Sequence, residues 1–181
     1  MEKTIVLVSL FAALIAVLGL APKVPGPFGV PITAQSMGIM LCGTVLGAKR
    51  GALAVLLFIT LTAIGLPLLS GGRGGLGVFA GPSSGFIIGF PLAAYVAGLI
   101  TTKLRMVKIF YSSLLGAIIG GIFVLYIPGI IGMSIALGKS ISEATVIALI
   151  YIPGDLIKAF LCATLTQTLF KHRPADVLSR I

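Results

Sequence analysis

Asp155 and Lys158 are the residues of this sequence best suited to chemistry with a ligand. They stand three apart, so on a helix they share a face. Asp155 is one of four acidic residues and alone falls within or near an apolar run. A charge inside a membrane helix costs about 2.5–3.5 kcal/mol, so such a residue turns toward the protein interior. Pro153 suits the first turn of a helix because it has no amide hydrogen to leave unpaired. A helix starting there places both residues in its first two turns. Asp155 would then accept hydrogen bonds from ligand N–H groups. Lys158 and the open first-turn amides would receive an anion or a carbonyl oxygen. The alternative role is an ion pair that anchors the helix near the interface, with Lys158 reaching toward water. Either role turns both side chains inward.

The elements that carry this pair are membrane helices. The chain is 58% hydrophobic and 9% charged, against about 25% charged in a soluble domain. Apolar runs long enough to cross the hydrocarbon core recur along its length, giving expected spans at 4–20, 33–48, 51–70, 85–102, 109–127 and 153–171. The first run resembles a signal peptide, but five more follow it, so it reads as an uncleaved span. Segment 128–152 is apolar yet broken by Pro128, Gly129, Gly132 and Gly138. It either lengthens the fifth helix through a kink or folds as an interfacial segment. The expected fold is therefore all-α, a single polytopic domain of six transmembrane helices.

Charge sets the orientation. With the N-terminus inside, nine of the 13 basic residues fall on the inner side (Lys3, Lys49, Arg50, Lys103, Arg105, Lys108, Lys171, Arg173, Arg180). Lys23, Arg73 and Lys139 fall outside, and Lys158 lies within a span. This bias expects both termini in the cytoplasm. The net charge of +9 sits at span ends and not in an aromatic-laced patch, which excludes nucleic-acid binding. Cys42 and Cys162 lie in apolar spans without a ligand cluster, so they read as small buried residues, and no metal or cofactor is expected.

The unusual sequence gathers on the outer side. The first outer loop, 21–31, holds four prolines; the second, 70–85, is rich in glycine; the third ends at Tyr151, Pro153 and Gly154. Irregular backbone at membrane depth is tolerated only inside protein or along a cavity, so a ligand site is expected there. Two other matches lose their chemistry. Gly72 to Gly77 fits a dinucleotide fingerprint but lacks the βαβ unit it needs. Gly81-Pro82-Ser83-Ser84-Gly85 fits a serine-hydrolase elbow, yet the single histidine, His172, is a membrane away; only a Ser–Lys arrangement with Lys158 stays open. No Walker A sequence is present, so the chain cannot hydrolyse ATP by itself. Ala12 and Ala16, with Gly19 on the same face, permit close helix approach. They serve either docking to another membrane protein or packing within the bundle.

Two motifs together resemble the BioY family, the biotin-binding S components of energy-coupling factor (ECF) transporters. One runs from Gly71-Gly72-Arg73-Gly74-Gly75 through Phe79 and Gly81-Pro82-Ser83 to Gly85; the other is Pro153-Gly154-Asp155-x-x-Lys158. The proline-rich first loop, Gln35 with Met37-Gly38, and Ala12-x-x-x-Ala16 agree with it. The resemblance implies a six-helix S-component bundle whose pocket is capped by the loop between the first two helices. It implies tight capture of biotin and delivery inward by toppling. The implied partners are a transmembrane coupling protein and two cytoplasmic ATPases, docked partly through Ala12 and Ala16. Some family members are thought to work without that module, which leaves a stand-alone facilitator as the alternative. Asp155 and Lys158 match the family's polar pair for biotin. Arg73 stands where some members carry an uncharged polar residue; it either binds the valerate carboxylate or faces water. Phe79 and Tyr151 are candidate apolar walls, Ser83 and Ser84 candidate hydrogen bonders, and Gln35 a further ligand contact. An S component for another vitamin, or a hydrolase acting through Ser83, are the remaining rivals.

Overall fold

The computed structural model of the chain describes residues 2–180 and holds no strand among them. The principal helices are α1 (Glu2–Gly19), α2 (Gln35–Leu46), α3 (Ala48–Ala63), α4 (Ser84–Lys103), α5 (Ile109–Leu137), α6 (Ile141–Leu149) and α7 (Ile152–His172). Of these α1, α4 and α5 are each long and apolar enough to cross a membrane; α6 and α7, bent by 54° at their junction, qualify together as one broken span. With 12 residues, α2 is only about 18 Å long. It is buried continuously from Gly38 to Leu46, so the irregular backbone at its ends lies within protein and not in lipid.

The third apolar run is helical only to Ala63, not to residue 70. Gly65 takes φ +113° and Pro67 brings no amide hydrogen, so 64–70 leaves the helix. The fifth helix instead outruns its expected end at 127. Pro128 removes one amide hydrogen and crowds the carbonyl of Val124, and the turn from Ile119 to Val124 is wound as a π-helix. That wider turn absorbs the clash, and α5 continues to Leu137. Gly138 closes it in the left-handed conformation, φ +61°. Ser140 then opens α6 with a capping box: its hydroxyl accepts from the Glu143 amide at 3.3 Å, and the Glu143 carboxylate accepts from the Ser140 amide at 2.9 Å. Segment 128–152 is thus partly an extension of the fifth helix and partly a helix of its own.

Helix α4 forms the axis of the bundle, and small residues let its neighbours close on it. A Cβ on Gly43 of α2 would lie 2.3 Å from the Ala94 carbonyl oxygen, and one on Gly120 of α5 would lie 2.5 Å from that of Ala93. Near the other end of α4, a Cβ on Gly132 would lie 2.6 Å from the Cα of Gly85. Cys42 and Cys162 are buried free thiols in this core, as their apolar settings indicate.

Both chain ends share one end of the bundle. Lys3 pairs with Asp176 at 2.9 Å, the Ser179 hydroxyl donates to the Thr44 carbonyl, and Arg180 donates to the carbonyls of Leu104 and Val107. The irregular segments 20–34 and 64–83, and the short helix α6 with its flanking turns, gather at the opposite end.

Candidate functional site

At that opposite end a cleft opens between the first outer loop and helices α2, α4, α5 and α7. It holds about 640 Å³ of empty space, counting the part that opens to solvent. Phe86, Ile87, Phe90 and Leu125 give it apolar walls, and its polar groups converge from separate elements.

Asp155 and Lys158 face this cleft from the first two turns of α7, which begins at Ile152 with Pro153 in its first turn. The Lys158 ammonium donates to Asp155 Oδ1 at 2.9 Å and to Ser36 Oγ at 3.0 Å. Ser36 Oγ lies 3.4 Å from the same carboxylate oxygen. On the other oxygen, Oδ2, the Tyr126 hydroxyl donates at 2.8 Å. Asp155 is 6% exposed. Each carboxylate oxygen therefore has a donor, which is what a buried charge requires. Breaking such a pair by removing one partner typically costs about 3–5 kcal/mol. Tyr126 is itself held edge-on by Phe86, ring centroids 5.8 Å apart, so an aromatic wall of the cleft fixes the donor that fixes the acid.

Arg73 reaches the cleft through a tight reversal. Gly71 and Gly72 take φ +81° and +70°, a region that favours glycine. They return the chain so that Leu69 and Arg73 exchange backbone hydrogen bonds at 3.0 and 3.2 Å. The Arg73 Nε donates to the Ser70 carbonyl at 3.3 Å, and the side chain lines the cleft. No carboxylate pairs with it among the described residues, where the ion pairs are Lys3–Asp176, Lys139–Glu143 and Lys158–Asp155. Gln35 also borders the cleft, but its amide is spent on backbone. Nε2 donates to the carbonyls of Ile15 and Leu68, and Oε1 accepts from the Ser70 amide at 3.0 Å. It ties α1, α2 and the Arg73 turn together.

Tyr151 borders the cleft and donates to the Val30 carbonyl at 3.0 Å, pinning the first outer loop over the site. Paired backbone hydrogen bonds between Val24 and Ile32 fold that loop back on itself. Ser83 lines the cleft, whereas Ser84 is buried beside Gly132 and Phe79 packs against the core away from it. Lys158 is committed to Asp155 and Ser36, which leaves the Ser83 elbow without a base at hydrogen-bond distance; His172 sits at the far end of α7. Ala12 is buried within the chain's own bundle and Ala16 is half-buried. Sequence reasoning passed over Ser36, Tyr126 and the apolar walls Phe86, Ile87, Phe90 and Leu125. A phenol near the middle of an apolar helix was the available signal for Tyr126.

These features define a multi-pass, all-helical membrane protein of the S-component architecture. The chain belongs to the BioY family, whose profile matches residues 2–175. A biotin transporter BioY from Rhodobacter capsulatus is 48% identical, across 99% of this chain and 100% of its own. A probable biotin transporter BioY from Bacillus subtilis is 43% identical across 90% and 89%. The crystal structure of an S-component for biotin from an ECF-type ABC transporter superposes with a TM-score of 0.88 at 34% identity, covering 94% of this chain and 92% of that one.

Proposed function

We propose that this protein is the biotin-binding subunit of a vitamin uptake transporter, taking biotin from outside at the cleft and passing it inward. The observation that carries the reading is the Asp155–Lys158 pair at the head of an apolar cleft, braced by Tyr126 and Ser36. Biotin presents two ureido N–H donors, one carbonyl acceptor, an apolar thioether ring and tail, and a carboxylate. Asp155 accepts from the ureido N–H groups, and Lys158 serves the carbonyl. Arg73, the cleft cation without a carboxylate partner, receives the valerate carboxylate at the opening. Phe86, Phe90 and Tyr151 hold the ring and tail. Ser83 is within the lining as a further hydrogen bonder, and Gln35 acts by holding the Arg73 turn.

The distribution of basic residues supports a cytoplasmic location for the end that carries both termini, in a cell membrane whose outer face the cleft meets. Energy for uptake against a gradient comes from partners, a transmembrane coupling protein and two cytoplasmic ATPases. Ala16, at the edge of the exposed face of α1, belongs to the docking surface.

Titration of purified, biotin-depleted protein in detergent with biotin and a panel of other vitamins tests the reading. Saturable binding of biotin alone is expected. Binding of a different vitamin by folded protein would keep the architecture and overturn the substrate.

A further inference from the structure

At the end of the bundle away from the cleft, a second groove runs between the start of α5 and the end of α7, with about 1320 Å³ of empty space when its open side is counted as it was for the cleft. Lys108 lines it from the start of α5, and Gln167 and Lys171 line it from the end of α7. Phe110, Tyr111 and Phe170 form the rest of the lining that matters here. Tyr111 is 59% exposed, and Phe110 stacks edge-on against it at 5.4 Å and against Phe160 at 5.5 Å. The groove is thus cationic at the rim and aromatic along its length, at the end of the bundle where α5 begins and α7 ends.

Among the described residues no ion pair answers the charge at this rim. Of the four acidic side chains, Asp155 and Glu143 are at the other end and Asp176 is held by Lys3. Glu2, the fourth, begins α1. Among the described residues neither Lys108 nor Lys171 has an ion pair, and no side chain caps the first turn of α5. Two exposed ammonium groups across one groove, above aromatic rings that face lipid, complement a phosphate whose acyl chains descend along the helices.

We propose that this groove binds an anionic phospholipid, with Lys108 and Lys171 clasping the phosphate, Gln167 donating a hydrogen bond to the headgroup, and Phe110, Tyr111 and Phe170 lining the upper acyl chains. Such a lipid would brace α7, the helix that carries Asp155 and Lys158 at its other end, against α5.

The test is native mass spectrometry of delipidated full-length protein with phosphatidylglycerol or phosphatidylcholine of identical acyl chains. The wild type is expected to retain phosphatidylglycerol preferentially. The Lys108→Gln/Lys171→Gln variant should lose that preference by about 25-fold, fivefold for each lysine. Lys49→Gln/Arg50→Gln removes the same charge from exposed positions at the same end, outside the groove, and should keep the preference. Size-exclusion profile and helical circular dichroism establish that each variant is folded. An undiminished preference in the groove variant, or an equal loss in the control, would overturn the site and leave only ordinary attraction between a basic surface and acidic lipid.

Discussion

Replacing Asp155 by Asn keeps the side chain's shape and removes its charge, which isolates what the carboxylate does. In the native protein Oδ1 accepts from Lys158 at 2.9 Å and Oδ2 from Tyr126 at 2.8 Å. An amide offers one acceptor oxygen, with two lone pairs. Lys158 has no lone pair to return, so the amide oxygen must stay with it and the NH2 must face Tyr126. The phenol can rotate to accept that hydrogen. The fold therefore survives Asp155→Asn, but the remaining oxygen is taken up by Lys158 and Ser36, the Oδ2 acceptor is lost to a ligand N–H, and the Lys158 charge loses its neutralising partner. A hydrogen bond to a charged group contributes about 1.5–3 kcal/mol, so biotin affinity should fall by about 10- to 150-fold. Tyr126→Phe removes only the brace and should cost about fivefold, on the order of 1 kcal/mol. The double variant should fall short of the product of the two, with a coupling of at least about 0.5 kcal/mol, because the second change removes a contact already reorganised by the first. The assay is calorimetric titration of biotin into detergent-purified variants, with thermal unfolding to show each is folded. Biotin affinity within twofold of wild type in folded Asp155→Asn would refute the role given to the carboxylate, and strict additivity would refute the role given to Tyr126.

Two further perturbations address the other parts of the reading. Arg73→Gln should weaken biotin about three- to tenfold while leaving biotin amide unchanged; an unaltered acid-to-amide ratio would assign Arg73 to solvent. Ala12→Leu should lower thermal stability by about 1–3 kcal/mol through overpacking, since Ala12 is 4% exposed inside the bundle. Ala16→Leu, at a half-buried edge, should spare folding and biotin binding yet block uptake measured with the partner complex in proteoliposomes. Normal uptake there would remove α1 from the docking surface.

Much of the architecture was legible in the sequence because hydrophobicity and helix boundaries are local properties. Apolar runs bounded by lysine and arginine determine that the chain enters a membrane and where most helices turn back. Spacing alone places Asp155 and Lys158 on one face of the last helix, and a charged pair in that setting has to turn inward. The capping box at Ser140 and Glu143 was equally local, and it marks the separate helix within 128–152 that composition left open.

The rest depended on how the helices are rotated and how closely they pack. Tyr126 and Ser36 reach Asp155 from 29 and 119 positions away, and no local pattern encodes such a meeting. Gln35 borders the cleft yet spends its amide on three backbone groups. Ser83 and Ser84 are neighbours in sequence, but one turns to the cleft and the other into the contact between α4 and α5. The π-turn that carries α5 past Pro128 places Pro128 and Gly132 against the glycines of α4. Burial and backbone approach are properties of the assembled bundle, and they decide which of the candidate residues a ligand can meet.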